Sequence, residues 1–264
     1  MPQQDPFRLD GRVAAVVGAA SGIGQAVALA CGRQGARVAC LDQDAAGAAA
    51  VAGQITAHGG SAEAGALDIR DDAAVRAAFE SLRDRHGSLD VAVCTPSINI
   101  RKLVLAYTED DLERVLTLNL KGNFHVLQAA GRIMTAQGRG SIVLFSSIRS
   151  LVVEPGQSVY AATKAGIVQL VRTAAAEFGP SGVRVNAVAP GVVETPLTAP
   201  IKARPDWYAA YADKNVLGRW ARPEEIAEPT VFLCSDAASY VTGSVLFVDA
   251  GWTAVDGRFQ PPGM

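Results

Sequence analysis

The chain has 264 residues, 49% of them apolar, which suits a single domain over residues 1–264 with a sizeable core. Lys and Arg total 24 against 26 for Asp and Glu, a balance that gives no reason to expect nucleic acid or an anionic membrane as a partner. No apolar run reaches membrane-spanning length, and Met1-Pro2-Gln3-Gln4-Asp5-Pro6 lacks the basic and apolar regions of a secretory signal, so a cytoplasmic protein with a small-molecule substrate is expected.

Val13-Ala14-Ala15-Val16-Val17 reads as a first strand. Gly18-Ala19-Ala20-Ser21-Gly22-Ile23-Gly24 follows, and then a helix to about residue 34. Strand, Gly-rich turn and helix together form the context of a dinucleotide loop. Gly18 permits a tight turn, Gly22 lets backbone approach a pyrophosphate, and Gly24 allows close helix–strand contact. The helix N-terminus, from Ser21 to Ile23, offers N–H groups to phosphate.

The second strand, residues 36–41, ends at Asp42. A carboxylate there accepts hydrogen bonds from ribose hydroxyls and repels a 2′-phosphate, which predicts NAD as cofactor. A helix over 44–58, a third strand over 61–67 ending at Asp68-Ile69, a helix over 71–85 and a fourth strand over 89–93 follow. Residues 108–136 read as one long helical region. Within it Asn119 is a polar residue between Leu118 and Leu120, and Asn is a mediocre helix former. Residues 141–145 form a short apolar strand of the buried, parallel type, with Ser146-Ser147 just past its C-terminal end, the edge where open α/β sheets bind ligands.

Tyr160 and Lys164 are four apart on a predicted helix running to Phe178, so they share a face. A cation beside a phenol stabilises the phenolate and draws the pKa down from about 10 towards the working range. A sixth strand over 184–189 leads into Pro190-Gly191-Val192-Val193-Glu194-Thr195. Residues 195–218, with Trp207, Tyr208 and Tyr211, read as a mobile lid, or alternatively as a subunit contact. A helix over 223–235, a last strand over 245–248 and an extended tail over 257–264 complete the chain. Cys31, Cys40, Cys94 and Cys234 are scattered and read as buried thiols; neither they nor the three histidines have metal-ligand spacing, so no metal is expected.

On these motifs the chain resembles the short-chain dehydrogenase/reductase family over roughly residues 9–252. The resemblance implies a catalytic tetrad of Asn119, Ser147, Tyr160 and Lys164; the Ser147-to-Tyr160 interval selects Ser147 over Ser146. It implies that Asn119 bends its helix and holds a water leading to Lys164. It further implies that Lys164 binds the nicotinamide ribose, that Asp68 and Ile69 flank the adenine, and that Pro190, Gly191, Val193 and Thr195 lie under the nicotinamide. Cys94-Thr95-Pro96-Ser97 stand where the family has Asn-Asn-Ala-Gly beside the cofactor. Pro96 lacks an N–H and Ser97 removes a glycine's freedom, so this loop is expected to follow a different path or to bond differently.

Alternating strands and helices give a doubly wound parallel sheet, with family strand order 3-2-1-4-5-6-7, and the family assembles as dimers or tetramers. The expected activity is hydride exchange between a secondary alcohol and NAD. The alternatives are an NADPH-dependent carbonyl reductase and a non-catalytic NAD sensor on the same fold. Arg101 and Arg149 leave strand C-termini and offer forks to a carboxylate, as in gluconate 5-dehydrogenase-like members, unless they are surface cations or pair with Glu154. Trp207, Tyr208 and Tyr211 would instead wall a neutral ring alcohol.

Overall fold

The computed structural model describes residues 5–257; the tail expected over 257–264 lies, beyond Gly257, outside the described residues. Seven parallel strands form one sheet in the order β3-β2-β1-β4-β5-β6-β7. They are β1 (Val13–Val17), β2 (Arg37–Asp42), β3 (Ser61–Ala66), β4 (Val91–Cys94), β5 (Gly140–Phe145), β6 (Val183–Pro190) and β7 (Val245–Val248). The helices are α1 (Gly22–Arg33), α2 (Ala45–Ala57), α3 (Asp72–His86), α4 (Glu109–Leu116), α5 (Asn123–Gln137), α6 (Ser158–Phe178), α7 (Ala199–Lys202), α8 (Pro205–Lys214) and α9 (Glu224–Cys234).

Strand side chains alternate between two cores. Ala14 and Val16 pack with α1, α2 and α9 on one face, while Ala15 and Val17 pack with α3, α5 and α6 on the other. Both faces are covered, which is why the strands read as continuous apolar runs and not as alternating ones. The register aligns Val17 with Leu41 and Cys94, and Cys94 with Leu144, so the strand C-termini share one edge. A third, smaller cluster of Ile148, Ile201, Tyr211, Trp220 and Trp252 sits beyond that edge and anchors α7 and α8.

The long helical region around Asn119 is not one helix. It divides into α4, a π-helical turn over Thr117–Gly122 and α5. The wider turn carries Asn119 fully buried towards the sheet edge. β4 starts at Val91, two residues later than the sequence suggests; just before it, Asp90 ties the N-terminal end of the sheet, its Oδ2 accepting from Val13 N at 3.0 Å and from Ser88 Oγ at 2.7 Å.

Candidate active site

Two cavities meet at the C-terminal edge of the sheet, and both are lined by Leu197. The first, of about 280 Å³, is bordered by Gly18, Gly22, Asp42, Asp68, Ile69 and Thr195. Gly18 and Gly24 are dictated by close approach. A Cβ on Gly24 would lie 1.9 Å from Gly18 O, and one on Gly18, which has φ +85°, would lie 2.3 Å from Thr95 Oγ1. Ser21 occupies the N-cap of α1 without capping it through its side chain, so the first N–H groups of α1 are open to an anion. Asp42 lines the far end with its carboxylate fixed: Oδ2 accepts from Ala20 N at 3.0 Å and Oδ1 from Asp44 N at 2.9 Å. An uncapped helix start, a glycine floor and a fixed carboxylate fit a dinucleotide lying across the edge.

The second cavity, of about 310 Å³, brings Ser147 and Tyr160 together with Asn99, Arg101, Arg149 and Trp207. Of the serine pair, Ser146 is buried and donates to Lys164 O at 2.9 Å, while Ser147 faces the cavity and its Oγ accepts from Arg149 N at 3.1 Å. Lys164 is 2% exposed; its Nζ donates to Phe145 O at 2.9 Å and lies 5.5 Å from the Tyr160 ring centroid. Burial pushes the Lys164 ammonium down to about 8. Contrary to the expectation that Lys164 draws the phenol down, burial raises Tyr160 above its ordinary value; the Ser147 hydroxyl, the charges of Arg149 and Arg101, and the Ser97 hydroxyl oppose that rise.

Asn119 acts as a clamp. Its Oδ1 accepts from Ile98 N at 2.8 Å, and its Nδ2 donates to Ile98 O at 2.8 Å and to Thr163 Oγ1 at 3.3 Å. Asn123 Nδ2 donates to Asn119 O at 3.0 Å. The altered segment after β4 is thereby pinned against α6. Cys94 itself is fully buried and lies beneath the wall of the first cavity, which Thr95, Pro96, Ser97 and Ile98 help form; its thiol is pushed up to about 12 by burial. Pro190 and Val193 are likewise buried behind the edge, whereas Gly191 and Thr195 reach the cavities.

The two arginines are not free forks. Glu154 accepts from Arg101 Nη1 at 2.9 Å, from Arg149 Nη2 and from Gln157 Nε2 at 2.8 Å, and Tyr211 Oη donates to it at 2.5 Å. Arg101 also lies over Trp207, 5.2 Å from the ring centroid, and Arg149 over Trp252 at 5.4 Å. Lys102 binds Asp111, the N3 residue whose carboxylate closes the Thr108 capping box of α4. Sequence reasoning missed Asn99 and Gln157 as cavity residues; Gln157 lies three before Tyr160, a spacing that places it one turn away on the same side. Among the described residues no cluster of His, Cys, Asp or Glu could hold a metal, and no helix is long and apolar enough to cross a membrane.

The model of a family described as enoyl-(acyl carrier protein) reductase matches residues 18–253. The chain is 43% identical over 245 residues to a cis-4-hydroxycyclohexanecarboxylate dehydrogenase of Sinomonas cyclohexanicum, covering 92% of this chain and 97% of that one. It is 39% identical over 251 residues to a D-threitol dehydrogenase of Mycolicibacterium smegmatis, covering 94% and 95%. Among solved structures, a gluconate 5-dehydrogenase from Burkholderia cenocepacia in complex with NADP and tartrate superposes with a TM-score of 0.92 at 33% identity, covering 95% of this chain and 98% of that one.

Proposed function

The chain belongs to the short-chain dehydrogenase/reductase family, and from that premise we propose that it exchanges hydride between a secondary alcohol and NAD with Tyr160 as acid–base. The observation that carries the proposal is the cavity in which Ser147 and Tyr160 meet, directly beside the glycine-floored cleft. Gly18, Ser21, Gly22, Ile23, Gly24, Asp42, Asp68, Ile69, Gly191 and Thr195 would hold the dinucleotide, with Cys94, Pro190 and Val193 supporting that wall from behind. Bound there, a nicotinamide supplies the hydride acceptor or donor.

The chain's own residues move the proton. Ser147 donates its hydroxyl hydrogen to the substrate oxygen, since its Oγ already accepts from Arg149 N. Tyr160 Oη, as phenolate, takes the alcohol proton in oxidation and returns it in reduction. Lys164 holds an ammonium 5.5 Å from the phenol ring and would bind the ribose, and Asn119 keeps the Ile98 wall in register and would complete the relay to Lys164 only through its main chain, its side chain being held by Ile98 and Thr163. Residues 195–218 supply Leu197, Ile201, Trp207 and Tyr211 to the cavity and act as the lid that excludes water.

For the substrate we favour a hydroxy acid or a strongly polar polyol. Arg101 and Arg149 share one carboxylate, so the three groups carry a net positive charge facing the cavity. The solved relative that holds tartrate, a polyhydroxy carboxylate, agrees with this. Its NADP is the observation favouring a second reading, use of NADP(H), which Asp42 opposes through like-charge repulsion. Exposed Leu103, Val104, Leu105 and Phe124 support a homo-oligomer, dimer or tetramer, and scattered buried thiols support a cytoplasmic setting. A panel of polyols, linear hydroxy acids and ring hydroxy acids, each with NAD⁺ and with NADP⁺, tests the reading through reduced-cofactor absorbance. Turnover of at least one polar secondary alcohol with a preference for NAD⁺ is expected; turnover of none would refute it.

A further inference from the structure

Asn99 and Gln157 border the cavity in which Ser147 and Tyr160 meet, and neither takes part in the proton transfer described above. They are joined to Glu154 in a row. Asn99 Nδ2 donates to Gln157 Oε1 at 2.9 Å, and Gln157 Nε2 donates to Glu154 Oε2 at 2.8 Å. The direction of the row is set from one end. A carboxylate only accepts, and Glu154 is held in place by Arg101, Arg149 and Tyr211. It therefore takes the nitrogen of Gln157, which turns the Gln157 oxygen towards Asn99, which in turn draws the Asn99 nitrogen. Gln157 is 2% exposed, so bulk water does not compete for its amide. The atom left over is Asn99 Oδ1. It accepts from no group among the described residues and has almost no surface open to solvent. Leaving such an acceptor unpaired is costly.

We propose that Asn99 is a specificity-determining residue whose Oδ1 accepts a hydrogen bond from a second hydroxyl of the substrate, on the carbon next to the one that reacts. The inference rests on the reading of this cavity as the substrate site and narrows it to vicinal diols, in polyols or dihydroxy acids. The neighbouring carbon is the one in reach because Gln157, to which Asn99 is bonded, caps α6 one turn before Tyr160. An oxygen at this place sorts ligands by polarity. A hydroxyl supplies the missing hydrogen, whereas a methylene or keto group leaves the amide oxygen buried and unpaired. A site built for a hydroxyl rejects the analogue lacking it for that reason. Arg101 and Arg149 cannot make the distinction, since guanidiniums only donate and serve any anion. Glu154 thus has a use besides its charge: through Gln157 it keeps the oxygen of Asn99, and not the nitrogen, turned to the ligand.

Tartrate and malate carry the same two carboxylates and differ by one hydroxyl on the neighbouring carbon. Their Kd values, taken for the tightest-binding stereoisomer of each, are measured by calorimetry on the NADH-loaded protein, wild type and Asn99→Leu. Tartrate is expected to bind wild type about tenfold tighter than malate, and the ratio to fall to within about twofold in Asn99→Leu. The Kd for NADH should stay within about twofold, because the wall of the first cavity ends at Ile98 and does not include Asn99. Gln157→Met, which leaves the Asn99 amide free to turn, should lower the ratio as well, and it carries the test if Asn99→Leu fails to fold. Equal binding of the two acids by wild type, binding of neither at about 10 mM, or a wild-type ratio that survives in either variant overturns the proposal. A loosened site would weaken both acids alike and leave the ratio standing, so it counts against the proposal too. Turnover is not part of this measurement: a chain that oxidises alcohols of the panel with NAD⁺ but does not tell the two acids apart fails this inference alone.

Discussion

Replacing Glu154 by glutamine asks what one carboxylate does between two guanidiniums. Glu154 collects hydrogen bonds from Arg101, Arg149, Gln157 and Tyr211, residues drawn from the loops after β4 and β5, the start of α6, and α8. Glutamine keeps the shape but turns one acceptor into a donor that meets a guanidinium N–H. Removing one partner of a fully buried pair costs about 3–5 kcal/mol. Here Arg149 is 7% exposed but Glu154 is 23% and Arg101 30%, so water relieves part of the loss. About 2–3 kcal/mol remains, which at this chain length lowers Tm by roughly 5–10 °C. The same change adds one positive charge to the cavity, so tartrate used as a probe anion should bind about tenfold tighter by calorimetry. An unchanged Tm together with unchanged or weaker tartrate binding would refute the view of Glu154 as the counter-ion that ties the 195–218 segment to the substrate cavity.

Asp42→Ala should improve kcat/KM with NADP relative to NAD by on the order of 1–3 kcal/mol, and a wild type that already prefers NADP would contradict the role given to that carboxylate. Asn119→Ala leaves both polar groups of Ile98 unpaired, which should cost about 2–4 kcal/mol in urea unfolding; a loss below about 0.5 kcal/mol would show that the clamp is dispensable. Lys164 titrates at about 8 in the folded chain, below its unfolded value near 10.4, so the unfolded state holds that proton more tightly between the two. Folding stability therefore gains a contribution from this group as pH rises from about 8 to about 10. Lys164→Met should lack that pH-dependent gain when urea midpoints are compared across the window, and parallel profiles would rule it out.

The sheet and the Gly18-to-Gly24 turn were legible because their causes are local. β-branched runs between turn residues, and glycines where a Cβ would lie within 2.3 Å of another atom, leave their mark on a short stretch of sequence. The shared face of Tyr160 and Lys164 follows from helical periodicity alone. The length of the Lys164 contact does not: its hydrogen bond to Phe145 O depends on how α6 lies against β5. The π-turn at Asn119 was hidden for a related reason. Its partner is the Ile98 backbone across the groove, a tertiary contact that no local spacing encodes. Arg101 and Arg149 were visible as cations and Glu154 as a partner, but the convergence of residues 101, 149, 154, 157 and 211 is a tertiary fact that no spacing encodes. Cys94 was expected at the cofactor and lies instead under the wall, because β4 runs one residue further than its apolar pattern suggests.

The measurement that bears most directly on the account is the turnover of Tyr160→Phe on the best alcohol from the panel, with NADH binding measured on the same preparation. Removing the hydroxyl that carries the proton, while keeping the ring that packs beside Lys164, should lower kcat by 10²-fold or more, about the low end for a general acid–base, and leave the NADH Kd within about twofold. A variant that binds NADH normally and keeps most of the wild-type kcat would contradict the assignment of Tyr160 as the acid–base.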